Sequence, residues 1–158
     1  MRILLSILLC TAVCLDTWAA SPNPSPLIGS WEVDISRLPV PPEARPKSVT
    51  ITFMDAGSEA LTMQVHIIDA AGAEIKTVGT GTLDGKVTPV AGSPEADLAA
   101  MKMPTENVLV LALAKGKIPA STRIYAVGKD GKTMLETAVY FSSNGLPAMR
   151  TNYFTRVR

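Results

Sequence analysis

The chain has 158 residues, enough for one domain, and a formal net charge of +1 at pH 7. Its Lys and Arg residues are scattered along the sequence, whereas nucleic acid binding requires several phosphate-neutralising cations gathered on one face. We therefore exclude nucleic acid as a partner.

The first segment, residues 1–19, has the pattern of a secretory signal peptide. A short basic start precedes an apolar run from Ile3 to Leu15, and small residues precede a cleavage site near Ala19 or Ala20. A membrane anchor is the alternative, but this run is shorter than the roughly 20 apolar residues of a spanning helix. We predict a periplasmic or secreted protein with no integral membrane segment after processing.

Both cysteines, Cys10 and Cys14, lie in this segment, so the processed chain is predicted to contain none. A disulfide framework, a thiol nucleophile and a metal site built from cysteine are then excluded. Neither cysteine follows the small residue that bacterial lipoprotein processing requires. We therefore expect the processed protein to be held together by its core alone.

A proline-rich lead-in occupies residues 20–27, and beyond it glycine-centred turn signals recur along the chain. Asp-Gly and Asn-Gly pairs supply the positive φ angles that tight hairpins demand. One helical turn is predicted at residues 93–98, with Ser93 as its N-cap. The runs between the turns predict strands at about residues 29–35, 47–54, 60–68, 73–81, 86–91, 98–103, 107–114, 119–128, 133–141 and 149–157.

Alternation of apolar and polar residues predicts which face of each strand points inward. In the strand at 133–141, Leu135, Val139 and Phe141 lie opposite Glu136, which predicts these three inside. Residues 28–158 are therefore predicted to be all-β, an antiparallel up-and-down meander closed into a barrel of about 8–10 strands. The predicted inward residues of the second and third strands are Val49, Ile51, Phe53, Leu61, Met63, Val65 and Ile67.

One strand, Val108–Ala114, is apolar on both faces, so its outer side needs a cover. The N-terminal proline segment, a ligand-dependent contact and a partner subunit are the alternatives. A packed segment, or a homodimer or protein partner bound through this strand, is the interpretation we favour.

Short motifs spread over most of the chain carry a resemblance to a known family. They are GSWEVD at 29–34, RPKS at 45–48, DGK at 84–86, PVAGSPEAD at 89–97 and DGKTM at 130–134. In these motifs the chain resembles the lipocalin-like (calycin) family, and more narrowly small exported bacterial proteins with a lipocalin-like domain. The resemblance implies a barrel that often holds a small apolar ligand. It also implies that Trp31 plugs the closed end and that Arg156 or Arg158 packs over it.

Residues suited to catalysis or metal binding are few. The single histidine, His66, falls on the polar, outward face of its strand. With one His and no Cys after processing, a zinc site is excluded, and Gly79-Thr80-Gly81 predicts a barrel bend rather than a phosphate loop. We therefore predict no metal and no cofactor. Catalysis by carboxylates alone, for example Glu136 with Asp34, stays open.

Methionine is common after residue 19, where six residues outnumber the three phenylalanines. Thioether side chains line adaptable apolar surfaces, although they also fill gaps in cores that are poor in aromatic residues. Met63 falls on the inward face of its strand, whereas Met134 shares the face of Glu136.

Together these observations predict a protein that binds or carries a small apolar ligand inside the barrel. One alternative is an interaction module of the cell envelope whose barrel is filled by its own side chains. Another is an enzyme that works through polar groups inside the barrel. A cavity favours the carrier, a packed interior favours the module, and inward-facing paired carboxylates favour the enzyme. The candidate ligand-binding residues are Trp31, Val49, Ile51, Phe53, Leu61, Met63, Val65, Ile67 and Met134.

Overall fold

A computed structural model describes residues 25–57 and 59–157. Ten antiparallel strands form one closed barrel, in which every strand pairs with its neighbour in sequence and β1 also pairs with β10. The predicted all-β meander of 8–10 strands is therefore confirmed. The strands are β1 (Gly29–Val33), β2 (Ser48–Asp55), β3 (Ala60–Ile68), β4 (Glu74–Thr82), β5 (Asp84–Ala91), β6 (Leu98–Thr105), β7 (Val108–Lys115), β8 (Ile118–Val127), β9 (Thr133–Phe141) and β10 (Pro147–Val157).

Several sequence-based predictions fall outside the described residues. The predicted signal peptide at residues 1–19, with both cysteines, is among them, as is most of the lead-in at 20–27. Within the described part of the chain, no helix is long and apolar enough to cross a membrane.

The segment between β1 and β2 differs from the prediction, because β1 ends at Val33 and two short 3₁₀ helices follow, Ile35–Arg37 and Pro42–Ala44. The Asp34 carboxylate accepts a hydrogen bond from the Ser36 backbone N–H, which starts the first of these turns. The turn predicted at residues 93–98 does not form a helix. Ser93 Oγ nevertheless accepts hydrogen bonds from the backbone N–H groups of Glu95 and Ala96.

The alternation on β2 and β3 predicts the inward residues correctly, since Ile51, Phe53, Leu61 and Met63 are buried. On β9 the predicted faces are reversed. Met134 and Glu136 are buried, whereas Leu135 is 45% exposed and Phe141 is 70% exposed. Val139 shares their outward face and is only half-buried. The pattern misled because it assigns a charged residue to solvent, whereas Glu136 has hydrogen-bond partners inside the barrel.

Strand β7 carries apolar residues on both faces, as its sequence indicates. Leu109 and Leu111 are buried inside the barrel, and Val108 and Val110 on the outer face are half-buried. Val110 stands between Lys102 of β6 and Ile124 of β8, so neighbouring side chains give it partial cover. A homodimer or partner on this strand stays a prediction.

The closed end of the barrel is the end that holds Trp31, Phe53, Leu61 and Met134 in a packed core. Trp31 is fully buried, and its indole N–H donates a hydrogen bond of 2.9 Å to the carbonyl oxygen of Leu27. An indole with its one donor satisfied can be buried at little polar cost. The segment of residues 25–28 is thereby fixed across this end.

Arg156 covers Trp31 at the closed end. It is one of the two arginines, Arg156 and Arg158, for which the family resemblance implies this position. Its guanidinium carbon lies 4.2 Å from the centre of the Trp31 ring. The same group donates hydrogen bonds to the backbone carbonyls of Pro26, Ile28 and Gly131. Arg158 lies outside the described residues.

Gly29 is required by this stacking. A Cβ atom at this position would lie 2.5 Å from Nη1 of Arg156, and the Gly29 φ angle of +128° is one that other residues rarely adopt. The glycine two residues before the tryptophan therefore makes room for the arginine that covers the indole.

We expect Arg156→Met to lower the free energy of unfolding by on the order of 3 kcal/mol, because three partly buried carbonyls lose a charged donor. Arg37→Met is the matched control, since Arg37 stacks on the Tyr153 ring at 3.2 Å and a stacked cation contributes about 1 kcal/mol or less. Urea unfolding followed by tryptophan fluorescence gives both values. Equal losses in the two variants would contradict the role assigned to Arg156.

Candidate functional site

A cavity of about 380 Å³ lies inside the barrel, between the packed core and the open end. The open end is opposite Trp31, where the segment of residues 34–47 joins β1 to β2 and the loop of residues 92–97 joins β5 to β6. Most of the cavity wall is apolar. Gly79, which carries no side chain, contributes to the space on β4.

The structure divides the nine candidate ligand-binding residues into two groups. Five of them line the cavity: Val49, Ile51, Met63, Val65 and Ile67. The other four lie outside its lining, in the packed core towards the closed end: Trp31, Phe53, Leu61 and Met134. The floor of the cavity is Tyr125, and the ring of Phe53 packs edge-on against it from below at 5.5 Å between ring centres.

The methionines occur in both of the roles that the sequence left open. Met63 and Met101 line the cavity, and Met134 fills the core beneath it. Met54 and Met149 are exposed on the outside of the barrel.

Two parts of the wall were missed by the sequence reasoning because they do not belong to strands. The segment of residues 34–47 contributes Leu38, Val40 and three small or cyclic residues to the open end. The loop of residues 92–97 contributes Ser93, Pro94 and Glu95. Both parts carry a sequence signal, since the first is rich in proline and the second belongs to the PVAGSPEAD motif.

A polar cluster centred on Arg123 forms one side of the cavity. Arg123 Nη1 donates to Glu136 Oε1 at 2.7 Å, and Arg123 Nη2 donates to Glu95 Oε2 at 2.6 Å. Arg123 Nε donates to Ser121 Oγ, which in turn donates to Glu95 Oε1 at 2.6 Å. One guanidinium on β8 therefore joins a carboxylate on β9 to a carboxylate in the loop of residues 92–97.

Glu136 is the most buried member of this cluster, with 2% of its surface exposed. The Tyr125 hydroxyl donates to its Oε1 at 3.0 Å, and Asn152 Nδ2 donates to its Oε2 at 2.5 Å. Asn152 is 6% exposed, and its Oδ1 is the one buried side-chain polar atom without a hydrogen-bond partner in the described part of the chain.

Burial and pairing act in opposite directions on the ionisation of this cluster. Burial disfavours the charged forms of Glu95 and Arg123. Hydrogen bonds from Arg123 and Ser121 outweigh it for Glu95, and the charge of Glu136 with the hydrogen bond to Glu95 outweighs it for Arg123. The pKa of Glu95 is therefore lowered and the pKa of Arg123 is raised. The pKa of Tyr125 is raised by burial first and then by the nearby charge of Glu136.

The two inward carboxylates are the feature that favours an enzyme among the alternatives. A general acid or base near neutral pH needs a pKa near the working pH, and the pKa of Glu95 is shifted away from it. Both carboxylates are also hydrogen-bonded to Arg123. The arrangement is therefore that of a fixed ion-pair network.

The other candidate groups lie apart from the cavity. Asp34 does not meet Glu136, because its carboxylate caps the first 3₁₀ helix at the surface. His66 is on the outer face of β3, where its Nε2 lies 2.6 Å from Glu74 Oε1. No three His, Cys, Asp or Glu residues of the described ranges are grouped so that they could hold a metal ion.

No protein-family model and no curated protein sequence matches this chain. Among solved structures, the chain is similar to one described as "Structure of EF1p2_mFAP2b bound to DFHBI". The identity is 10% and the TM-score 0.46, over 84% of this chain and 94% of the other. A likeness of this degree decides neither the family of this chain nor its ligand.

We expect Arg123→Leu to cost about 3–5 kcal/mol of unfolding free energy, because it leaves the Glu136 carboxylate buried without its cation. The double variant Arg123→Leu/Glu136→Gln should be more stable than the single variant, since the unpaired charge is then gone. Urea titration of both chains measures the difference. A double variant as unstable as the single one would contradict the pairing of these two groups.

Proposed function

We propose that this protein binds a small, mainly apolar molecule in the barrel cavity. The observation that carries the proposal is the space of about 380 Å³ inside a closed barrel, lined on most sides by apolar side chains. Ligand pockets span about 300–1,000 Å³ and combine apolar walls with a few polar groups. Both properties are met here, since the Arg123 cluster supplies the polar groups on one side.

Binding would be driven by removal of apolar surface from water. At about 25 cal/mol per Å², a ligand that loses about 300 Å² of apolar contact with water gains roughly 7.5 kcal/mol before the cost of association. That cost is several kcal/mol, so a ligand of this size should bind with moderate affinity. Such binding suits a protein that takes up a ligand and releases it again.

We further propose that the protein is exported and is related to the lipocalin-like proteins. The pattern of residues 1–19 supports export, and the motifs between residues 29 and 134 support the relationship. The stacking of Arg156 on Trp31 also agrees with what the resemblance implies for the closed end.

An interaction module is the second candidate function, and exposed apolar side chains favour it. Ile118, Phe141, Leu146 and Met149 are each more than 60% exposed and lie on neighbouring strands or turns near the open end. The cavity does not fit the filled barrel that this alternative assumed. The two functions are compatible, because the exposed residues are outside the barrel and the cavity is inside.

Filling the cavity tests the proposed binding. We expect Val65→Phe to weaken the binding of the neutral fluorescent probe N-phenyl-1-naphthylamine at least tenfold, because the added ring takes up space that the probe requires. Val78→Phe is the matched control, since Val78 is exposed on the outer face of β4. Fluorescence titration gives the dissociation constants.

Two results would count against the proposal. If the unmodified protein does not bind the probe or any other small apolar compound, the cavity has no such role. If Val65→Phe binds the probe as tightly as Val78→Phe does, the probe is bound elsewhere. Far-ultraviolet circular dichroism of both variants establishes that each one is folded.

A further inference from the structure

The polar side of the cavity indicates which chemical class of head group the ligand carries. We infer that the cavity prefers an apolar molecule with an uncharged hydrogen-bond donor, such as a hydroxyl or an amide N–H, over one with a carboxylate. Glu136 is the residue that sets this preference. The inference rests on the proposed function, because it names the ligand class for the same cavity.

The charge of the cluster is the first argument. Glu95 and Glu136 contribute two carboxylates and Arg123 contributes one guanidinium. A ligand carboxylate placed beside them would be a third anion next to a single buried cation. Arg150 also lines the cavity and its charge helps to lower the pKa of Glu95, but Arg150 is exposed at the open end, where water screens its charge more than that of the buried Arg123.

The geometry of Arg123 is the second argument. Each of its three side-chain nitrogens already donates a hydrogen bond to a protein oxygen, on Ser121, Glu136 or Glu95. A ligand carboxylate would have to compete with these acceptors for the same guanidinium. Arginine has five N–H groups and three of them are used here, so a ligand carboxylate would find two remaining N–H groups on a guanidinium whose charge is already shared between two carboxylates.

The unused hydrogen-bonding capacity is the third argument. The Asn152 side chain lines the cavity, and its Nδ2 is held by Glu136, so its Oδ1 is the acceptor left without a donor among the described residues. A buried acceptor without a donor costs free energy. This oxygen is closed off from the cavity as the side chain stands, so a ligand hydroxyl or amide N–H recovers the cost once the Asn152 amide turns towards it, whereas a carboxylate brings only further acceptors.

A protonated amine also donates hydrogen bonds, but it would have to leave water as a charged group. The desolvation of an ammonium group is far more costly than that of a hydroxyl. The cluster already contains a buried cation that competes for the same carboxylates. An uncharged donor is therefore preferred to a charged one.

The test compares ligands with one alkyl chain and different head groups. 1-Decanol, decanamide, decanoate and decylammonium compete with N-phenyl-1-naphthylamine for the full protein at pH 8. We expect decanol and decanamide to displace the probe with dissociation constants at least tenfold lower than decanoate, and lower than decylammonium. Decanoate or decylammonium binding as tightly as decanol would overturn the inference and leave the proposed function standing. Failure of the probe and of all four compounds to bind would instead refute the proposed function.

The variant Glu136→Gln tests the assigned residue. The glutamine can accept from Arg123 and Tyr125 through its oxygen and, once the Asn152 amide turns over, donate to Asn152 Oδ1. One charge is then removed, and an N–H of Asn152 takes the place of the unused acceptor. We expect the preference for decanol over decanoate to fall from at least tenfold to less than threefold. Glu74→Gln is the matched control and should keep the full preference, because Glu74 lies on the outer side of the barrel.

A second variant keeps the test decisive if Glu136→Gln does not fold. Glu95→Gln removes a charge from the less buried carboxylate of the cluster, whose side chain is 39% exposed. Glu95→Gln should reduce the preference for decanol over decanoate to a value between those of the unmodified protein and Glu136→Gln. If folded Glu95→Gln keeps the same preference for decanol over decanoate as Glu74→Gln, the inference that the cluster's charge sets the preference is overturned.

Discussion

Closure of the barrel through β1 is the constraint on which the remaining structure depends. β1 is only five residues long, yet it pairs with β2 on one side and β10 on the other. Trp31 lies in its centre, under the guanidinium of Arg156. Burial of one aromatic side chain contributes several kcal/mol, so this short strand is held by its side chain as well as by its backbone. Without it the sheet would have no enclosed interior.

The interior of the barrel has two parts, a packed core and a cavity. Towards Trp31 large apolar side chains fill the barrel, whereas towards the other end glycine and small residues leave a cavity. The Arg123 cluster lies at the side of this cavity and connects the loop of residues 92–97 to two strands. One set of contacts therefore determines both the polarity of the cavity and the position of part of its opening.

Most of the fold could be predicted from the sequence, because turn signals and alternation are local properties. The failure on β9 is instructive, since Glu136 is buried through partners from β8 and β10 that no local pattern reveals. The same reason explains why five lining residues were found on β2 and β3 while Arg123, Asn152 and Glu95 were missed. The depth of a residue along the barrel axis also depends on the whole fold. The sequence could therefore not distinguish Phe53 and Leu61, which fill the packed core, from Val49 and Val65, which line the cavity.

The closed ring of strands determines how two molecules of this protein can meet. Every strand of the barrel has a hydrogen-bonded neighbour on both sides, although β4 and β5 pair over only two residue pairs, Val78–Ala91 and Gly79–Val90. No strand therefore presents a fully unpaired backbone edge to another chain. Self-association by β-augmentation, the usual hazard of sheet proteins, is therefore disfavoured for the folded barrel. Contacts between folded barrels are then made mainly by side chains, and the most exposed large apolar ones among the described residues are Ile118, Phe141 and Met149.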